Sequence, residues 1–123
     1  MKYSRSWLKA LDKSIEHWWE NLTMLQLNKL SGSRDLTENI YIRDVDCACC
    51  MYDEKISKDA ISFCEKCIIA IETQENDCEG TPYYKVKGWV EGSFDIKPSY
   101  TEGYKVISEQ LECLIKIREN VND

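Results

Sequence analysis

Histidine is the scarcest reactive residue type in this sequence, because His17 is its one copy among 123 residues. A single imidazole excludes the His-Glu-x-x-His pattern of zinc proteases and leaves no Cys–His–Asp arrangement for nucleophilic catalysis. The deaminase signature requires Pro before a Cys-x-x-Cys pair, whereas Phe63 precedes Cys64 here. The five glycines form no Gly-rich phosphate loop. We therefore predict that the protein is not an enzyme.

Long apolar runs are also missing. The first residues carry no apolar run of signal-peptide length, and no stretch approaches the roughly 20 apolar residues that span a bilayer. We therefore expect no membrane association and a cytosolic location, where thiols stay reduced. The seven cysteines are an odd number, so they cannot all pair as disulfides within one chain. Both points favour metal binding over disulfides.

Basic residues are in a minority, with 16 Lys and Arg against 22 Asp and Glu, for a net charge of −6. The imbalance is concentrated in residues 44–79, where ten acidic and three basic residues give a net charge of −7. Nucleic acid is usually bound through a basic patch that releases counterions from the phosphates. Direct binding of DNA or RNA by this segment is therefore not favoured.

The first 34 residues have the opposite balance, with a net charge of +3. Asp12 and Glu16 interrupt a basic helical face that has Tyr3 and Trp7 beside it. The basic residues of this face recur every three or four positions: Lys2, Arg5, Lys9 and Lys13. A zinc-containing nucleic-acid-binding regulator therefore stays open as an alternative function.

A dense cysteine segment is the most informative feature that the sequence does have. Cys47 and Cys50 form one Cys-x-x-Cys pair, and thirteen residues separate it from a second pair, Cys64 and Cys67. Two such pairs supply the four thiolates of a closed, tetrahedral zinc site. We predict a structural zinc ion bound by these four residues, with Cys78 as an alternative ligand.

Other assignments of the reactive residues are less favoured but stay open. Cys49 competes with Cys50, although its Cys-x-Cys spacing to Cys47 is less usual, and His17 is an alternative fourth ligand. An iron–sulfur cluster is the alternative metal state. A thioredoxin-like role for Cys64 and Cys67 lacks the preceding βαβ pattern that it requires. Cys113 is interpreted as a small buried residue of the last helix.

Two long amphipathic helices are predicted near the ends of the chain. The first covers residues 4–30, with Ser4 or Ser6 as its cap and a stop at Gly32. Its apolar stripe is Leu8, Leu11, Ile15, Trp18, Leu22 and Leu25, widened by Trp7, Trp19 and Leu30. The last helix follows a Ser99-x-x-Glu102 capping box, and its stripe is Tyr104, Ile107, Leu111 and Leu114, broadened by Ile115 and Ile117. We expect the two stripes to pack on each other and the tail after residue 119 to fray.

A central helix is predicted over residues 57–72. Its apolar face is Ile61, Cys64, Ile68 and Ile71, with Glu72 among the residues that face water. Ile40 to Ile42 is a short β-prone run, and the alternation of Tyr84, Val86, Gly88 and Val90 predicts one short extended segment. The expected fold is a mainly α single domain over residues 1–123, with little β structure. A cysteine-rich zinc module containing the central helix covers about residues 44–84.

The motif order resembles that of a group of small proteins encoded by tailed bacteriophages. It reads His17-Trp18-x-Glu20-Asn21-Leu22, two Cys-x-x-Cys pairs and Cys78-x-Gly-Thr-Pro-Tyr83. The resemblance covers roughly residues 16–84. Cys49 stands where the group often has Leu, and Ile68 stands where it often has Pro. The resemblance implies a phage origin, action inside a bacterial cell and five matching cysteines, but no settled activity.

These observations predict a binding protein. We expect a small phage accessory factor that docks on a host protein, such as a defence or transcription factor, and inhibits or redirects it. Its acidic segment suits a basic surface on that protein. Three tryptophans on the first helix suit a homodimer as well as a monomer core.

Overall fold

The computed structural model describes residues 4–42, Ile69, Glu72 and residues 82–92 and 99–121. Within these residues the chain forms three helices: α1 (Arg5–Leu30), α2 (Tyr83–Glu91) and α3 (Tyr100–Asn120). Ile69 and Glu72 are also helical, and the same residues contain no β-strand. The predicted mainly α fold is therefore confirmed. The β-prone run at residues 40–42 is irregular rather than extended into a strand.

α1 begins and ends where its sequence signals are. The Ser4 side chain accepts a hydrogen bond from the Trp7 amide at 3.2 Å, which satisfies one of the amides left unpaired in a first helical turn. The last turn closes with a bond from the Ser31 amide to the Leu27 carbonyl at 2.9 Å. Gly32 follows with φ of +71°, a conformation that costs glycine little. The choice between Ser4 and Ser6 is thus resolved in favour of Ser4.

α3 is capped as its sequence predicts. The Ser99 side chain accepts a hydrogen bond from the Glu102 amide at 3.2 Å. Glu102 in the first turn and Arg118 in the last turn both have the charge that the helix dipole favours. The prediction that the chain frays from Asn120 onward is wrong at Val121, which lies beyond the helix and is buried in the core. Burial of this apolar side chain opposes fraying of the last turn.

α1 and α3 pack against each other in antiparallel orientation. Near one end of the pair, Arg118 Nε lies 2.7 Å from Asp12 Oδ1. At the other end, Lys29 Nζ lies 5.8 Å from the centre of the Tyr100 ring. The shared hydrophobic core draws on both stripes: Trp7, Leu11, Trp18, Leu22 and Leu25 from α1, and Ile107, Leu111, Leu114 and Ile117 from α3. The predicted pairing of the two helices is confirmed.

α2 replaces the extended segment predicted from the alternation at residues 84–90, and that prediction is wrong. Val86 and Trp89 are its buried residues, and their spacing of three is helical. Pro82 precedes the helix with φ of −68°, which suits a helix start because the missing proline N–H is not needed there. The contact with α3 selects the helical period over the alternating period that an extended segment would have. Trp89 donates from Nε1 to the Ser99 carbonyl at 3.0 Å.

Some predicted core residues are exposed. Trp19 is 52% exposed and Leu30 is 83% exposed, although both were assigned to the apolar stripe of α1. Successive helical residues differ by about 100° around the axis, so Trp19 points away from the core that Trp18 occupies. Tyr104 is also exposed, so it is not the core residue that was predicted, whereas Cys113 is half-buried and packs against the core.

The predicted central helix is described at two positions. Ile69 is helical and 2% exposed, and it belongs to the hydrophobic core. It was not part of the predicted apolar face, whose residues lie outside the described ones. Glu72 is helical and half-buried. Among the described helices, none has both the length and the apolar character that crossing a membrane requires.

Candidate functional site

The predicted zinc ligands are Cys47, Cys50, Cys64, Cys67 and the alternative Cys78, and all of them lie outside the described residues. The structure does describe how the scaffold holds both ends of the segment that carries them. We define the scaffold as α1, α2, α3 and residues 31–42, and the cysteine segment as residues 43–81. The candidate site is the base of the cysteine segment, where the scaffold fixes it.

Asn21 fixes the chain just before the cysteine segment. Its Oδ1 accepts a hydrogen bond from the Tyr41 amide at 3.2 Å, and its Nδ2 donates to the Tyr41 carbonyl at 3.1 Å. The side chain therefore pairs with both backbone groups of one residue, as a neighbouring peptide would. Asn21 is 2% exposed, so these bonds satisfy polar atoms that would otherwise be buried without partners.

His17 bonds the same carbonyl from one helical turn earlier. Its Nε2 lies 2.7 Å from the Tyr41 carbonyl oxygen, which can only accept, so Nε2 carries the proton. The contact of 3.5 Å between His17 Nε2 and Asn21 Nδ2 then joins two donors and is not a hydrogen bond. In the neutral imidazole this leaves the lone pair on Nδ1.

This geometry limits how His17 can act as the alternative zinc ligand. Only Nδ1 is open to a metal, because Nε2 donates to the backbone. A ligating histidine commonly donates its other ring N–H to a backbone carbonyl or carboxylate, which fixes the tautomer and the ring orientation. His17 is half-buried, and its ring meets that of Trp18 edge to face, with centres 6.1 Å apart. The arrangement suits a nitrogen ligand and equally suits a purely structural histidine.

Asn28 fixes the turn that leads to this point. It lies two helical turns after Asn21 on the same side of α1, and its Nδ2 donates to the carbonyls of Leu36 and Glu38 at 3.0 and 2.8 Å. Asn39 in this turn has φ of +62°, which asparagine tolerates better than most residues. Residues 31–42 therefore run back along α1, attached first at Asn28 and then at Asn21.

Tyr83 closes the other end of the cysteine segment. Its hydroxyl donates to the Ile42 carbonyl at 2.5 Å. Ile42 is the last described residue before the cysteine segment, and Tyr83 begins α2 just after it. The chain thus leaves the scaffold and returns to it at the same place. Ile69 adds a third attachment, because its buried side chain joins the scaffold core.

Of the three hydrogen-bonding residues at this base, Asn21 and Tyr83 were not predicted as site residues, and His17 was predicted only as an alternative metal ligand. Asn21 and Tyr83 occur in the motif that resembles the phage proteins, and Asn21 also lies beside the apolar stripe of α1. These were the available signals. Their partners are backbone groups, the amide and carbonyl of Tyr41 and the carbonyl of Ile42, which leave no trace in the sequence.

The basic face of α1 is only partly suited to nucleic acid. Arg5, Lys9 and Lys13 are exposed, as that alternative requires. Trp7, however, is buried in the core, so it does not offer a ring for base stacking. Asp12 lies among these bases and is paired with Arg118. Lys2 and Tyr3 lie outside the described residues.

No set of three or more His, Cys, Asp and Glu side chains comes together as a metal site within residues 4–42, 82–92 and 99–121 or at Ile69 and Glu72.

No protein-family model matches the chain, and searches of the curated proteins and of the solved structures find no match to it either.

Proposed function

We propose that this protein is a non-enzymatic binding protein of phage origin that acts in the bacterial cytoplasm. Its cysteine segment binds a structural zinc ion and docks on a host protein, which it inhibits or redirects. The observation that carries the proposal is the closed base at Ile42 and Tyr83. A scaffold that fixes both ends of one segment at the same place presents that segment as a unit. A recognition element needs such support, whereas a connecting loop does not.

The charge distribution of the chain supports a partner with a positively charged surface. Residues 44–79 have a net charge of −7 in a chain of net charge −6, so the rest of the chain is close to neutral. A concentrated negative field speeds association with a positively charged surface and disfavours neutral or acidic ones. We therefore propose a basic protein surface as the target, such as the nucleic-acid channel of a transcription or defence enzyme.

The donor set supports zinc. Five cysteines fall in the motif, and thiolates with at most one imidazole are typical ligands of structural zinc. Zinc, when bound, would cross-link residues far apart in the sequence and so hold the segment in one shape. Cys47, Cys50, Cys64 and Cys67 are the proposed ligands. Cys78 and the Nδ1 atom of His17 are the alternatives.

Native mass spectrometry of protein purified from bacteria without added metal tests both the zinc proposal and the docking proposal. We expect one zinc ion per chain together with a bacterial protein bound in stoichiometric amount. Zinc without any partner would overturn the docking proposal and leave the metal proposal standing. A metal-free chain whose mass is lower by two hydrogens per thiol pair would indicate disulfides and overturn the metal proposal.

Charge reversal gives a matched test of the docking surface. Glu75→Lys, Asp77→Lys and Glu79→Lys together reverse three charges in the cysteine segment. The control reverses three exposed charges on the scaffold, Glu91→Lys, Glu112→Lys and Glu119→Lys, for the same change in net charge. We expect the first variant to lose the captured protein and the control to retain it. Equal loss in both variants would mean that only net charge matters.

The alternative function is a zinc-containing nucleic-acid-binding regulator. The exposed bases Arg5, Lys9 and Lys13 on α1 favour it. It requires binding of DNA or RNA that weakens steeply as salt rises, and the loss of that binding when these bases are replaced by Gln. Absence of binding at low salt would discard it.

A further inference from the structure

Gln110 is a polar side chain in the core of the scaffold. It lies on the buried face of α3 and is 2% exposed. Its Oε1 has no hydrogen-bond partner among the residues that the structure describes, whereas the buried amides of Asn21 and Asn28 bond to backbone groups. A buried acceptor without a donor has lost its hydrogen bonds to water and gained none from the protein. The packed structure is therefore less stable at this point than one in which water reaches Gln110.

α2 lies along the part of α3 that contains Gln110. Trp89, near the end of α2, packs against Gly103, and Lys85, near its start, has its Nζ 3.8 Å from Glu109 Oε2. The two helices therefore run antiparallel, and the first turn of α2 is level with Gln110. Gln110 follows Gly103 by seven residues, or about two helical turns, and so lies on the same side of α3. Movement of α2 away from α3 would thus bring water towards the unpaired amide.

α2 is the least firmly held of the three scaffold helices. It has nine residues, fewer than the roughly 12–15 at which an isolated helix becomes even marginally stable in water. Two of these residues, Val86 and Trp89, are buried, compared with nine on α1 and seven on α3. Pro82 at its start makes no capping hydrogen bond with its side chain. Elements with few buried residues open at the lowest cost in free energy.

We propose that α2 opens from α3 as a unit, and that the unpaired amide of Gln110 sets how often it does so. In the closed state α2 covers Gln110 and the Tyr83 hydroxyl bonds to the Ile42 carbonyl. In the open state water reaches Gln110, Tyr83 leaves Ile42, and α1 and α3 stay packed. Opening therefore releases one end of the cysteine segment from the other.

The consequence for regulation rests on the proposed function of that segment. A host protein that binds the cysteine segment only when its ends are held together shifts the population to the closed state. The cost at Gln110 lowers the affinity for such a partner, because part of the unbound protein is open. Gln110 is thus a control on how firmly the scaffold presents the segment.

Native-state hydrogen exchange of the full chain, followed by NMR in low concentrations of urea, tests the proposal. We expect the α2 amides to exchange through an opening that is more frequent than global unfolding, which the slowest amides of α1 and α3 report. Gln110→Met removes the unpaired amide and keeps an unbranched side chain of similar size. It should slow exchange of the α2 amides and of the slowest amides by the same factor, about tenfold, because Gln110 meets water in both openings. Gln26→Met, at an exposed position of α1, is the matched control and should slow neither.

Tyr83→Phe tests whether the base opens together with α2. The variant lacks the hydroxyl that bonds to the Ile42 carbonyl, a bond that only the closed state contains. Exchange of the α2 amides should become about fivefold faster, as expected for the loss of one hydrogen bond. Unchanged exchange in this variant would mean that the base stays closed when α2 opens, which overturns the link to the cysteine segment.

Other outcomes would overturn the opening itself. Exchange of the α2 amides only by global unfolding would mean that α2 does not open separately. In Gln110→Met, slower exchange in α1 and α3 but not in α2 would mean that Gln110 stays buried when α2 opens. Unchanged exchange throughout that variant would mean that the amide has a donor in the closed state. None of these measurements depends on zinc content or on a captured host protein, so this inference and the proposed function fail separately.

Discussion

The indole ring of Trp89 lies directly against the α-carbon of Gly103. A Cβ atom placed on Gly103 would come within 2.3 Å of Trp89 Cζ2, far inside van der Waals contact. This contact brings α2 close enough to α3 for Trp89 Nε1 to donate to the Ser99 carbonyl. Gly103 is therefore needed for α2 to pack against α3. Because Tyr83 begins α2, this packing also holds the base of the cysteine segment closed.

Gly103→Ala should destabilise the protein by about 1–2 kcal/mol. Alanine gains about 1 kcal/mol of helix propensity over glycine, but the clash with a large buried ring costs more. Gly88→Ala is the matched control, because nothing lies within 4 Å of a Cβ there, and it should stabilise the protein by up to about 1 kcal/mol. Urea unfolding measures both. Equal stability of the two variants would contradict the contact.

Asn28→Asp should destabilise the protein by about 3 kcal/mol at neutral pH. The new carboxylate would replace an amide that donates to the carbonyls of Leu36 and Glu38, so it would face two acceptors without a donor. Gln26→Glu is the matched control, since Gln26 is exposed on the same helix, and it should change stability by less than about 0.5 kcal/mol. Thermal unfolding at neutral pH compares them.

The Asn28→Asp variant should also have a distinct pH dependence. Facing two carbonyls favours the protonated acid, so the folded state raises the pKa of the new carboxyl above its unfolded value. The stability of the variant relative to the unmodified protein should then be greatest at acidic pH and fall as pH rises through the folded-state pKa. Urea unfolding across this range measures it. A flat difference would mean that the side chain turns to solvent.

The Asp12–Arg118 pair should contribute little to stability. Its atoms are 2.7 Å apart, but the Asp12 side chain is 55% exposed, and exposed ion pairs typically contribute about 0.5 kcal/mol. A double-mutant cycle with Asp12→Ala and Arg118→Ala should give a coupling of this size that falls with added salt. The looser Lys85–Glu109 pair, at 3.8 Å, should give less. A coupling that resists salt would mean a desolvated pair.

Cys64→Ser and Cys67→Ser should each abolish zinc binding, because serine is a poor zinc ligand. Structural zinc contributes on the order of 10 kcal/mol to folding in small modules, so the cysteine segment should unfold and exchange its amide hydrogens rapidly. Cys113→Ser, in the scaffold helix α3, is the control and should retain one zinc ion per chain. Native mass spectrometry and hydrogen exchange report the outcomes. A double variant of Cys64 and Cys67 that folds without metal would contradict the prediction.

The two long helices were predictable because local signals and packing agree there. Ser4 and Ser99 cap them, Gly32 ends the first, and their apolar residues recur with a helical period. α2 was not predictable from its own nine residues, since alternating Val and Gly also fits an extended segment. The contact of Trp89 with Gly103 decides its conformation, and this contact joins residues that no local pattern connects.

The attachment of the cysteine segment was predictable only in part. The cysteine spacing identified the segment, but not the residues that hold its ends. Asn21 and Asn28 bind backbone groups 20 and eight to ten residues away, and any residue can supply those groups. Trp19 and Leu30 were placed in the core because the sequence pattern shows which residues are apolar. It does not show how much of the helix circumference a neighbour covers.

The hydrogen bond between Tyr83 and Ile42 makes the cysteine segment exchangeable. Loop closure depends only weakly on loop length, so a scaffold whose two attachment points already touch can accept inserts of very different size. One condition remains, because an insert must return an apolar side chain to the place that Ile69 fills in the core. Replacing this one insert should therefore leave the three helices and the contacts between them unchanged.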